Sequence, residues 1–148
     1  MGGTPMPLAN NSSLTPLQSL ESMLTKLLKS KIHNAVVTFT DVNYHGSITI
    51  DTDLLKQSGL LPNEAVIVAD CDNGERFETY VIPGEPGSGM IGINGAAARL
   101  TRVGHRVIVM SFVLATPAEI NEHRSRVVIV NDRNQSVEVI EHKTTEAK

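Results

Sequence analysis

Short β-branched runs alternate with polar turns along most of the chain. Lys31–Thr40 (KIHNAVVTFT) and Ser47–Ile50 (SITI) are rich in Val, Ile and Thr and bounded by Asp, Asn and Gly, the pattern of strands. Asp51–Ser58 (DTDLLKQS) reads instead as a short helix, with Asp51 as its cap and Gly59 as its stop. Ala65–Ala69 and Arg76–Ile82 flank Asp72-Asn73-Gly74, and an Asn-Gly between two such runs predicts a hairpin. Met90–Ile93, Arg106–Val113 and Arg126–Val130 are further strands, with a weaker one at Glu138–Ile140. Gly95–Leu100 predicts a helical turn and Pro117–His123 a short helix. Many short strands with small helical inserts favour a mainly β, closed-barrel architecture over a doubly wound sheet. Leu61–Val68 and Arg102–Val109 echo each other, each placing a polar turn before a Val-Ile-Val strand, as a pseudo-two-fold barrel would.

Residues 1–22 break the pattern. They carry three Pro, many Ser, Asn and Thr, and a single charge. Without a basic segment followed by a long apolar one they make a poor secretory signal. We read 1–22 as a disordered extension or appended leader, and 23–148 as one domain.

With 148 residues the chain can bury a core without staples. Thirteen Lys and Arg against 16 Asp and Glu leave a net charge of −3, which is no footprint for nucleic acid. Three Phe, two Tyr and no Trp offer little for stacking on bases. Cys71 alone excludes an intramolecular disulfide and a multi-cysteine zinc site. No apolar run approaches the roughly 20 residues of a membrane span. A soluble, cytoplasmic protein is expected.

Three familiar chemistries fail on spacing. Gly87-Ser88-Gly89-Met90-Ile91-Gly92 matches G-x-G-x-x-G, but it runs into a strand and no acidic residue follows at the required distance. It reads as a Gly-rich turn. The histidines His33, His45, His105, His123 and His142 show no short metal-ligand spacing, so no metal is expected. No G-x-S-x-G elbow is present. Tyr44-His45-Gly46-Ser47 by itself is a tight turn entering a strand.

Taken together, four ordered segments are more specific. Lys31-Ile32-His33, Tyr44-His45-Gly46-Ser47, Asn73–Tyr80 (NGERFETY) and Ile93–Ala98 (INGAAA) lie in one order and spacing across about 90 residues. In these the chain resembles the bacterial aspartate 1-decarboxylase proenzyme family, with His105 where that family often has Asp. The resemblance implies a six-stranded double-psi β-barrel with short helical inserts. It implies decarboxylation of L-aspartate to β-alanine and CO2 for pantothenate and coenzyme A synthesis, with no metal and no pyridoxal phosphate. The cofactor would be a pyruvoyl group made from Ser47 by self-cleavage after Gly46, forming a Schiff base with substrate. A homotetramer with active sites at subunit interfaces is also implied, and a maturation factor is left open.

Roles carry over residue by residue. Gly46, Ser47 and Thr79 match the processing residues, and Tyr80 the proton donor. Arg76 matches the carboxylate clamp, for which a guanidinium fork is suited. Thr79, Asn94, Gly95, Ala96, Ala97 and Lys31 match substrate contacts, and His33 and Tyr44 support them. Glycine at 46 is expected to leave its carbonyl unshielded and to permit an unusual backbone conformation. Because Thr79 and Tyr80 are neighbours, a regular strand would aim them at opposite faces, and a twist or bulge is expected if both serve. The competing reading is a non-catalytic double-psi barrel used for binding or assembly.

Overall fold

In the computed structural model, which describes Gly3 and residues 23–145, nine strands join edge to edge in one ladder. They are β1 (Thr25–Val36), β2 (Phe39–Asp41), β3 (Ser47–Asp51), β4 (Ala65–Asp70), β5 (Arg76–Gly84), β6 (Ile91–Asn94), β7 (Arg106–Ala115), β8 (Arg124–Val130) and β9 (Ser136–Lys143). Two short helices, α1 (Thr52–Ser58) and α2 (Pro117–Ile120), and a 3-10 turn at Gly95–Leu100 interrupt them. The ladder order is β2-β6-β3-β5-β4-β7-β1-β8-β9, with parallel pairs at β1/β8, β2/β6 and β3/β5. The expected mainly β class with short helical inserts is therefore present, with more strands than the six foreseen. The leader reading falls on residues 1–22, which apart from Gly3 lie outside the described residues.

Fully buried Ile and Val side chains fill the space between the strands. Ile32, Ile48, Ile50, Val68, Val81, Ile91, Ile93, Val107, Val109 and Val128 are completely enclosed. Each such side chain contributes about 1.5–3 kcal/mol by leaving water. Alternation sets which face points inward: Phe77, Thr79 and Val81 turn toward the core side of β5, while Arg76, Glu78 and Tyr80 face out.

Most element boundaries follow the sequence pattern, with four corrections. Lys31–Thr40 is not one strand, because β1 ends at Val36 and β2 begins at Phe39. A bulge between Ile32 and Ala35, with Asn34 at φ 66°, turns the chain there. In the other direction β1 starts six residues early, where Thr25–Leu28 pair with β7 and a second bulge spoils the alternation. The helix expected to reach His123 stops at Ile120, and β9 is longer than the three residues foreseen.

Both halves of the internal echo build the same turn. Asn63 and Gly104 are left-handed, at φ 69° and 91°. Asn63 N–H donates to the Val81 carbonyl and Val81 N–H to the Glu64 carbonyl, while Gly104 N–H donates to Val37 and Val37 N–H to His105.

Asp51 ties the Gly-rich turn to α1. Its carboxylate caps the helix by accepting from Asp53 N–H at 2.8 Å, and it also accepts from Gly87 N–H at 3.0 Å and Gly89 N–H at 2.8 Å. The G-x-G-x-x-G stretch is thus a turn anchored by a protein carboxylate. Asp51→Ala would orphan three N–H donors, and should cost on the order of 3 kcal/mol in a urea unfolding series.

Candidate active site

Burial changes abruptly at one peptide bond. Asp41 to Gly46 are all exposed, whereas Ser47 is 1% exposed and opens β3. The exposed side is a tight turn: Asn43 N–H donates to the Asp41 carboxylate at 3.0 Å, and the Tyr44 and His45 rings meet edge to face. On the buried side Ser47 pairs with Asn94 across β3 and β6. Asn94 Nδ2 donates to Ser47 Oγ and to Thr49 Oγ1, both at 3.0 Å. Ser47 Oγ in turn donates to the His45 carbonyl at 2.9 Å. The hydroxyl therefore has a donor on one side and a home for its proton on the other.

Gly95 backs this turn from behind. It is left-handed at φ 77°, and a Cβ there would lie 2.6 Å from Gly46 Cα and 2.8 Å from Gly46 N. Only glycine lets the two backbones approach so closely. The strained conformation expected at Gly46 is not present: it is outside the left-handed region, and a Cβ on it would meet nothing within 4 Å. Gly46 is exposed, and nothing would crowd a side chain there.

The remaining site residues divide by strand. Tyr80 lies on β5, beside β3, at the point where extending the Ile48–Val81 register brings it level with Ser47. It is 38% exposed and faces out together with Arg76. Thr79 turns to the core side, and β5 keeps regular register with β4, so the expected bulge does not occur. Arg76 is four residues from Tyr80, about 13 Å along the strand. Lys31 lies on β1, where it pairs with Met110 of β7 and Val127 of β8. Ser47, Asn94 and Gly95 are thus brought together, whereas Arg76 lies further along β5 and Lys31 and His33 lie on β1. Ala96 is exposed and Ala97 half-buried on the 3-10 turn that follows Gly95, and Tyr44 is half exposed on the turn before Ser47.

Spacing in the sequence misses a second polar cluster. Asp70 ends β4 in the core, where one carboxylate oxygen accepts from Thr101 Oγ1 and meets His105 Nδ1, both at 2.7 Å. The other accepts from the Asp72 and Asn73 N–H groups. Burial alone would raise the Asp70 pKa, but those hydrogen bonds outweigh it and hold the carboxyl below its ordinary range. With both oxygens engaged, the cluster locks the hairpin that carries Arg76. Cys71 beside it is a free, exposed thiol.

A family model described as aspartate decarboxylase matches residues 23–137. The chain belongs to the aspartate decarboxylase family. It is 54% identical over 117 residues to the aspartate 1-decarboxylase of Caldicellulosiruptor saccharolyticus, covering 79% of this chain and 91% of that one. It is 48% identical over 118 residues to that of Desulfotalea psychrophila, covering 80% and 99%. Similarity to the aspartate 1-decarboxylase of Neisseria meningitidis is 48% over 120 residues, covering 81% and 94%. Enzymes of this family are carboxy-lyases that depend on a pyruvoyl group.

Two outcomes test the geometry of this decarboxylase. Gly95→Ala must push the Gly46 backbone away, so cleavage after Gly46 should slow at least tenfold in a mass-resolved time course, a loss of about 1.4 kcal/mol of barrier stabilisation. Burial, and then the charge of Lys31, holds His33 below the ordinary 6.5. The unfolded chain therefore takes up this proton first, so His33 contributes stability above pH 6.5 that is lost as pH falls toward the lower folded value. His33→Gln should flatten that limb of a melting-temperature profile measured on the uncleavable Ser47→Ala chain.

Proposed function

We propose that this chain is a self-processing aspartate 1-decarboxylase that converts L-aspartate to β-alanine and CO2, supplying pantothenate and coenzyme A synthesis. The observation that carries the reading is the Ser47 hydroxyl, gripped between Asn94 and the His45 carbonyl next to the exposed Gly46. Ser47 Oγ attacks that carbonyl carbon, the C–N bond breaks, and the peptide becomes an ester. Loss of the Ser47 Cα proton then expels Gly46 as a carboxylate by breaking the Cβ–Oγ bond. One water replaces the nitrogen, ammonia leaves, and residue 47 becomes the N-terminal pyruvoyl group. These residues fit that group because its precursor atoms are already held in place. Once formed, it supplies the electron sink that decarboxylation of an amino acid requires.

The chain's other residues bind and deliver protons. Asn94 and the Gly95-Ala96-Ala97 backbone border residue 47, and the Tyr80 hydroxyl stands one strand away as proton donor. Arg76 clamps a substrate carboxylate, and Lys31 adds a second cation. Membership of the family supports a homotetramer with active sites at subunit interfaces. Tyr44 and His33 support the site, and Thr79 keeps its processing role with no contact to the hydroxyl assigned before cleavage.

The two matching turns at Asn63 and Gly104 support a six-stranded double-psi core within the nine-stranded ladder. Residues 23–148 are the self-processing domain and 1–22 an extension. The family match and the absence, among the described residues, of a helix long and apolar enough to cross a membrane support a cytoplasmic enzyme. Whether an accessory protein speeds maturation is an outcome of the same assay.

Purified wild type should split and release β-alanine from L-aspartate, while Ser47→Ala stays whole and inactive. Because β1 lies between β7 and β8, and β2 pairs with β6, the two fragments should co-elute natively and part only in denaturant. Arg76→Ala should still cleave, yet lose roughly 100-fold in kcat/KM for aspartate, as expected when a charge-assisted pair is removed. Normal turnover by that variant would contradict the clamp, and a folded, uncut wild type with no β-alanine release would favour a binding module.

A further inference from the structure

We propose that Thr49 is a positioning residue for self-cleavage, its hydroxyl fixing the Asn94 carboxamide so that Nδ2 faces Ser47 Oγ. The inference rests on the self-processing reading and adds a residue to it. Ser47 Oγ–H already donates its hydrogen bond to the His45 carbonyl, so its Oγ presents lone pairs toward Asn94. A flipped carboxamide would set Oδ1 against those lone pairs, and only the NH2 end is attractive there. That end carries two N–H groups. One goes to Ser47 Oγ and the other to Thr49 Oγ1, each at 3.0 Å, in a pocket where all three residues are buried.

Thr49 and Ser47 are two residues apart on β3 and so share a face, which places both hydroxyls over one carboxamide. Asn94 enters from β6 in register with Ser47, so its amide spans the two. Without the Thr49 oxygen, one buried N–H would be left unpaired, and the amide would turn to find another acceptor. The lost contact matters to the chemistry because Oγ carries developing negative charge as it attacks the Gly46 carbonyl. An oriented N–H stabilises that charge without reorganising in the transition state. When Oγ departs with the Gly46 carboxylate, the first N–H is released beside residue 47 while Thr49 still holds the second.

Two substitutions separate this role from packing. Thr49→Val keeps the volume and removes the hydroxyl, whereas Thr49→Ser keeps the hydroxyl and removes the methyl. We expect Thr49→Val to slow cleavage roughly tenfold, the scale of one hydrogen bond, with Thr49→Ser close to wild type. A packing role predicts the reverse order. Whole-chain disappearance would be followed by denaturing mass analysis, with melting temperatures taken on each variant. If Thr49→Val does not fold, Thr49→Ala against Thr49→Ser makes the same comparison. Cleavage of Thr49→Val at the wild-type rate, or Thr49→Ser as slow as Thr49→Val, overturns the inference while leaving the self-processing reading intact. A wild type that stays whole overturns both.

Discussion

The carboxamide of Asn94 reaches across two paired, buried strands to a serine hydroxyl at the first position where the chain leaves water. Everything proposed for this protein depends on that bond being made at that place. A serine in the exposed turn would exchange its partners with solvent, and one deeper in β3 would have no exposed turn beside it. At the boundary, the hydroxyl is held by the core while the peptide it must attack belongs to an exposed turn. The flanking core, with Ile48, Ile50, Ile91 and Ile93 fully enclosed, keeps the two strands in register.

Cleavage at this boundary, as proposed, would also have an architectural consequence. The smaller fragment contributes β1 to the middle of the ladder, between β7 and β8, and β2 to its edge on β6. Among the described residues its strands β1 and β2 pair only with strands of the larger fragment, so breaking one covalent bond would leave the ladder intact. The same ladder puts Lys31 on the face that carries Arg76 and Tyr80, through the Lys31–Met110, Met110–Ile67 and Ile67–Glu78 pairs.

Much of this was legible in the residues because local chemistry fixed it. Asp51 and Gly59 marked both ends of α1, and they cap it as read. Asn73-Gly74 announced the β4–β5 hairpin, and the glycines at 87, 89 and 92 announced a turn rather than a nucleotide loop. The echo at Leu61 and Arg102 was readable as well, although the shared hydrogen bonds that give it meaning join residues far apart in the chain. What escaped was long-range or irregular. The bulges of β1 erase its alternation, and Asp70 meets His105 only because β4 lies beside β7. Gly46 and Gly95 exchanged importance: sequence drew attention to the glycine at the cleavage point, while the packing demand falls on the one behind it. The four ordered motifs pointed to the chemistry, and the hydroxyl network around Ser47, with Thr49 in it, emerged only when β3 met β6.

The central claim is that Ser47 itself becomes the electrophile, and the mass of the larger fragment tests it most directly. The account predicts a fragment starting at residue 47 that is lighter by one ammonia than the peptide beginning with an intact serine. A larger fragment of unmodified serine mass, in a preparation that turns over aspartate, would contradict it.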